Sequence, residues 1–359
     1  MRIIASLTLF AVLAAAADKH VMVYQEAGRF GGWPANHGVW SWGNEIVVGF
    51  SAAYFAVKEA NRHQYDNTKP EEPRLARSLD GGETWTIEAP KSLLPPEQGG
   101  AAVTELKEPM DFTAPNFAMT LRLSDVNKGS SRFWYTMDRG HMWRGPYSLP
   151  MFGQPGVLAR TDYIVNGKRD AFVFLTVTKT NGKEGRVICA RTQDGGLTWK
   201  LVSYLGDEPA GFSIMPSSIR LSPTKLLTAT RVKESEKVNW IDLYSSSDNG
   251  AHWTLAVHKL TDTGGGSGNP PYLLRLKDGR ICLTYGNRNA PFAINARISS
   301  DEGATWSEPR ILQQGAAAWD VGYVRSALRP DGKVVTAYYY NNDPHKERYI
   351  EATIWDPKQ

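Results

Sequence analysis

The chain has 359 residues, 42% of them hydrophobic and 22% charged, with 41 Lys and Arg against 37 Asp and Glu for a net charge of +4. So slight a positive balance argues against a nucleic-acid partner, and two cysteines are too few for a disulfide-built scaffold. Cys189 and Cys282 both sit inside apolar runs, which predicts buried free thiols.

At the start, Met1 and Arg2 precede an apolar run, Ile3 to Leu13, and then Ala14-Ala15-Ala16-Ala17. A basic start, an apolar middle too short to span a bilayer and small residues predict a signal peptide over 1–17, cleaved near Ala16-Ala17. The remainder, 18–359, is then expected to be exported to the periplasm or the extracellular space, without membrane insertion. A short strand, His20–Tyr24, comes next. After it lies Gly28-Arg29-Phe30-Gly31-Gly32-Trp33-Pro34-Ala35-Asn36-His37, with Trp40 and Trp42 close behind. A strand Glu45–Phe50 leads into the polar loop Asn61-Arg62-His63-Gln64-Tyr65-Asp66, and another strand covers Arg74–Ser78.

Ser78 begins the first of five copies of Ser/Thr-x-Asp-x-Gly-x-x-Trp, whose aspartates are Asp80, Asp138, Asp194, Asp248 and Asp301, at steps of 58, 56, 54 and 53 residues. A near-constant period of this size marks one supersecondary unit repeated around a ring or along a stack. Each copy reads as a hairpin turn. The Asp accepts backbone N–H groups, the Gly takes the positive-φ position, and the Trp opens the next strand with a large apolar face. These aspartates are turn staples and are not nominated as catalysts.

Between boxes the sequence breaks into short alternating or apolar runs bounded by Gly, Pro, Asn and Asp. Asp111-Phe112-Thr113 and Arg160-Thr161-Asp162-Tyr163 are read as openings of the inner strands of blades two and three. The fourth repeat gives Ser217–Leu221, Lys225–Arg231, Ile241–Ser246 and Trp253–His258. The fifth gives Pro271–Leu276, Arg280–Tyr285, Ile294–Ser299 and a strand opening at Trp306. Four short strands per unit without helical period predict an all-β, six-bladed propeller of four-stranded antiparallel blades. After the last box only Val324–Arg329, Val334–Tyr340 and Tyr349–Trp355 remain, so His20–Tyr24 is expected to supply the missing strand and close the ring.

Boxes of this form on a six-bladed ring resemble the sialidase (neuraminidase) superfamily, where they are called Asp-boxes, and the likeness covers nearly all of 18–359. Box-bearing propellers also include other glycoside hydrolases, polysaccharide lyases and non-catalytic binding modules. The resemblance implies a pocket at one end of the channel in which three arginines grip an anionic sugar, a tyrosine attacks, a glutamate activates it, and an aspartic acid serves as acid/base. Residue by residue, Tyr323 in Asp320-Val321-Gly322-Tyr323-Val324-Arg325 matches the tyrosine segment, with a channel-lining aromatic as the alternative. Asp320 and Arg325 flank it, to tune its acidity or to pair with each other. Arg231 and Arg288 match two of the arginines, and Arg29 is a loose equivalent of the first, since no F-R-I-P-like motif is present. The glutamate is missing, because blade four opens Gly211-Phe212-Ser213-Ile214-Met215-Pro216.

Asp66 stands where the acid/base aspartate would be looped in. His63, which the resemblance does not supply, is a second proton-transfer candidate. Arg160, Asp162, Trp33, Asn36 and His37 are expected to line the pocket, with packing or an Arg–Asp structural pair as the plain alternative. No Cys/His cluster has metal spacing, and no cofactor is expected. The implied function is an exported, exo-acting glycoside hydrolase on an acidic glycan, working as a monomer. A lyase cleaving next to a uronic acid, with His63 or Tyr323 as base, and a lectin-like propeller remain as alternatives.

Overall fold

The structure, a computed structural model, describes residues 17–59, 62–343 and 346–358. All but the last residue of the expected signal peptide lies outside them. Among the described residues, no helix is long and apolar enough to cross a membrane.

Six antiparallel sheets form the blades of a propeller. Blade four, the most regular, runs Phe212–Arg220, Leu226–Lys233, Asn239–Ser246 and Thr254–Asp262. Blade five is built alike, from Pro271–Arg275 to Arg310–Gln313. In blades one and three the innermost strand is split. Arg29–Gly32 and Gly38–Trp42 both pair with Glu45–Tyr54, and Val157–Leu158 and Tyr163–Gly167 both pair with Asp170–Thr178. Blade two departs from the expected four strands. It has three, Ala118–Leu123, Ser131–Thr136 and Arg144–Ser148, edged by a parallel bridge from Thr104 to Tyr147. Its inner strand begins at Ala118 rather than at Asp111, whose carboxylate instead accepts from Thr113 and faces Lys168.

Closure is as expected. Lys19–Tyr24 lies along Tyr349–Trp355 in blade six, with Lys19 opposite Ile354 and Val21 opposite Ala352. The ring therefore presents no open blade edge at its seam. Cys189 and Cys282 are buried and unbridged.

All five boxes fold alike, between the third and fourth strands. In blade five, Ser299 Oγ donates to Asp301 Oδ1 (2.8 Å) and accepts from Gly303 N (2.8 Å), while Asp301 accepts from Thr305 N (2.8 Å) and Thr305 Oγ1 (2.5 Å). The box glycines have φ near +90°, from Gly250 at +86° to Gly82 at +93°. The residue before each is also left-handed, which explains why Gly, Asn, Arg and Glu occupy it without β-branching. The box tryptophans pack on the preceding blade. Trp143 meets Trp40, Trp199 meets Phe133 and Trp253 meets Phe174, at centroid separations of 5.3, 6.4 and 5.9 Å. Polar contacts tie the inner strands to one another around the axis, including Leu121 N to Thr161 Oγ1, Ser218 N to Asp162 Oδ1 and Leu273 N to Ser217 Oγ.

Candidate active site

Strand direction sorts the molecule into two ends. In an antiparallel blade, the starts of strands one and three and the ends of strands two and four share an end. Each box joins strand three to strand four, so all five boxes lie opposite to Tyr323 at the start of an inner strand and Arg231 near the end of a second strand. The same end receives the connection from strand Glu45–Tyr54 to strand Glu72–Ser78, which carries His63 and Glu71.

Inner strands of three blades break their register there at a left-handed residue: Trp33 (φ +56°), Met215 (+51°) and Tyr323 (+53°). A bulge of this kind turns a side chain out of the pleat, and a left-handed aromatic persists only where its surroundings over-determine it. Trp33 and Tyr323 form part of the wall of a cavity of about 880 Å³.

Tyr323 is the electrostatic focus. Arg231 Nη1 donates to its hydroxyl at 3.1 Å, and the guanidinium carbons of Arg231 and Arg288 lie 5.7 and 5.5 Å from its ring centre. Burial opposes ionisation of the phenol, but Arg231, Arg288 and Arg160 outweigh it and set its pKa below the ordinary tyrosine value. Arg231 also donates to Ser267 O and touches Met215 Sδ at 3.5 Å. Arg288 is tied to the carbonyls of Gly266 and Gly268 and to the Tyr339 hydroxyl. Both are buried behind the phenol, and Arg160, paired with Glu184, stands on the cavity wall.

A second polar chain crosses blades one and six. Asp320, fully buried, accepts from His63 Nδ1 (2.6 Å) and Tyr339 Oη (2.6 Å), with Arg348 Nε 3.5 Å away. Burial works against its charge, but His63, Arg348 and Arg288 hold its pKa far below the usual carboxylate range. As an anion it only accepts, so His63 carries its proton on Nδ1 and leaves Nε2 for a ligand in the cavity that it lines. The His63 ring packs edge-on to Trp33 at 5.5 Å.

Glu71 lies on the same wall, and sequence reasoning missed it. Its carboxyl is met by the hydroxyls of Tyr65 and Ser51, and burial raises its pKa above the ordinary glutamate value. Ser51 in turn bonds His37 Nε2 at 2.8 Å. Burial, with Arg122 and Arg325 nearby, keeps that imidazole neutral. The available signal was positional, since Glu71 directly precedes the third strand of blade one.

Six residues nominated from sequence line the cavity: Tyr323, His63, Arg160, Trp33, Asn36 and His37. Arg231, Arg288 and Asp320 stand behind it. Arg325 and Asp162 sit by the axis as ties between blades. Arg325 donates to Ala35 O and Thr161 O, and Asp162 accepts from Ser218 and is pushed up to about 7 by burial. Arg29 and Asp66 are placed apart from this group. Arg29 faces Glu72 at 3.2 Å and covers the Tyr54 ring at 4.1 Å, and Asp66 caps its own turn through Thr68 N and Oγ1. Arg122 joins the wall unforeseen. Among the described residues no carboxylate pairs with it, and burial draws its pKa down to about 9. Trp40 and Trp42 pack between blades one and two.

A family model for the BNR repeat-like domain matches residues 72–335. The chain belongs to the BNR repeat-like family. No curated protein matches the sequence significantly. Solved structures share the BNR-type propeller at low identity, which carries the fold alone. A protein of unknown function from Dyadobacter fermentans aligns with TM-score 0.72 and 20% identity, over 93% of this chain and 97% of its own. Trypanosoma rangeli sialidase, solved with the inhibitor DANA, gives 0.63 and 12% over 96% of this chain, which spans only 60% of the sialidase. Penicillium chrysogenum α-L-arabinanase, solved with arabinobiose, gives 0.60 and 11%, over 95% of this chain and 99% of the arabinanase.

Proposed function

We propose that this protein is a glycosidase that cleaves an anionic glycan, with Tyr323 as nucleophile and Glu71 as acid/base. One observation carries the reading. Two titratable groups share a cavity and are pushed in opposite directions, the phenol toward its anion by arginines and the carboxyl toward its acid by burial. Opposed shifts of this kind assign acid and nucleophile roles. Tyr323 Oη attacks the anomeric carbon, the bond to the leaving oxygen breaks, and that oxygen takes the Glu71 proton. Glu71, now a carboxylate, takes a proton from water, which attacks the same carbon and releases the phenolate with net retention. Arg160 and the unpaired Arg122 give the cavity its affinity for a negative group. The His63–Asp320 pair orients an acceptor, His63 Nε2, at the cavity wall. The fold shared with a sialidase and an arabinanase supports the carbohydrate class.

A lyase reading is favoured by the occupant of the blade-four bulge. The counterpart of Tyr323 there is Met215, a thioether that cannot act as its base. An arginine-stabilised phenolate suits abstraction of a proton next to a uronic carboxylate, with Glu71 protonating the leaving oxygen. Product analysis on a panel of acidic polysaccharides separates the readings. New reducing ends without ultraviolet absorbance mean hydrolysis, an absorbing unsaturated end means elimination, and binding without cleavage means a lectin and sinks both enzymatic readings.

A further inference from the structure

Beside the main cavity lies a second one of about 410 Å³, over blades three and four. Val126 belongs to both walls, and the Arg160–Glu184 ion pair stands between them, its arginine facing the first cavity and its glutamate the second. The floor of the second cavity is built. Lys179, fully buried, spends its three ammonium protons on the carbonyls of Pro209 (2.8 Å), Ala210 (3.1 Å) and Gly211 (2.5 Å), which pins that loop against blade four. The rim is cationic. Lys183 has no carboxylate partner among the described residues, whereas Lys233, 5.8 Å from the face of Phe212, is paired with Glu236. Glu184, the one acid on this wall, is already committed to Arg160.

We propose that this second cavity is a further sugar subsite, so that the substrate is an oligosaccharide or polysaccharide bearing negative charge on more than one unit. The inference rests on the glycosidase reading and adds chain length and charge spacing to it. An apolar ring face at Phe212 on the same wall as the unpaired Lys183 suits a sugar with a carboxylate or sulfate. A neutral monosaccharide would leave that charge unanswered. Opposite-sign compensation at Arg160–Glu184 lets two anionic units lie on either side of the pair without crossing a net charge of their own sign.

The test uses the full-length protein with size-graded oligouronates and their sulfated counterparts, read by kcat/KM and by calorimetric titration. Wild type gains on the order of tenfold in kcat/KM from the shortest cleaved substrate to one long enough to fill both cavities. Lys183→Glu, an exposed change on a hairpin, removes that gain and weakens titrated binding of the long oligosaccharide. Equal kcat/KM on short and long substrates, or a Lys183→Glu variant that keeps the gain, overturns the subsite and leaves the reaction at Tyr323 untouched. If no glycan is cleaved, the Tyr323 reading fails, and titration of the same oligosaccharides still decides the subsite, since binding that ignores length or the Lys183 charge overturns it.

Discussion

The two ends of the ring satisfy their polar groups over opposite ranges. At the box end the Ser/Thr and Asp side chains of each box are satisfied inside their own turn. Ser299, Asp301, Gly303 and Thr305 answer one another, and four other turns repeat the pattern. At the cavity end almost nothing is local. His63 meets Asp320 across the seam between blades one and six, Arg231 of blade four meets Tyr323 of blade six, and Arg325 reaches carbonyls of blades one and three. The difference teaches why one end is copied and the other is unique. A self-sufficient turn can be repeated wherever a blade needs it, whereas a site assembled from several blades exists once, and the matching bulges of blades four and six carry different side chains, Met215 and Tyr323.

The sharpest break of that comparison is at the cavity. Tyr323→Phe is expected to lower kcat by on the order of 10⁴-fold or more while the melting temperature stays near wild type, because only the hydroxyl is lost. Activity retained in full would remove the tyrosine from the chemistry. Next comes Glu71→Gln, with an expected loss of about 10²–10⁴-fold. The pH profile gives this variant a second readout. A raised carboxyl must be protonated to act as acid, so wild-type activity falls as pH rises through that raised value, and Glu71→Gln abolishes this limb. Asp66→Ala, made in parallel, decides between the two acids, for a matching loss there would return the acid/base role to Asp66.

Substitution at the other end is expected to act on stability alone. Ser299→Ala strands the buried Gly303 N–H and costs about 1–3 kcal/mol of unfolding free energy. With the cavity at the opposite end, kcat/KM should not move. A drop in kcat/KM larger than twofold at a temperature where the variant is folded would show that the ends are coupled. The smallest effect is expected from pH alone. Hydrogen bonds within the turns hold Asp80 and Asp301 at about 2, so their stabilisation is complete above the ordinary aspartate range and is lost as pH falls toward 2. Thermal melts between pH 5 and 2 should decline over this window. A flat profile would mean that the box carboxylates contribute nothing to folding.

The same contrast explains what was legible in the sequence. The boxes, the six blades and the closing strand could be read because turn chemistry and strand alternation are local, and Lys19–Tyr24 falls within one residue of its predicted span. The strand count of blade two was not legible, since its missing edge is filled by a single parallel bridge at Thr104. Tyr323, Arg231 and Arg288 were reached through a resemblance and their places at strand ends. Glu71 was hidden because nothing in its neighbourhood distinguishes it from Glu72, which turns to Arg29 and Arg74 instead. The pairing of His63 with Asp320 joins residues far apart in sequence, and only the closed ring brings them together.

The seam itself has a temporal consequence. On a ribosome the strand Lys19–Tyr24 emerges before the other five blades, but its partner Tyr349–Trp355 is made after them, so the last blade cannot close before then. His63 waits equally long for Asp320. The cavity therefore comes into existence only once blade six has been made, and a chain that stops short of it carries blades but no closed cavity.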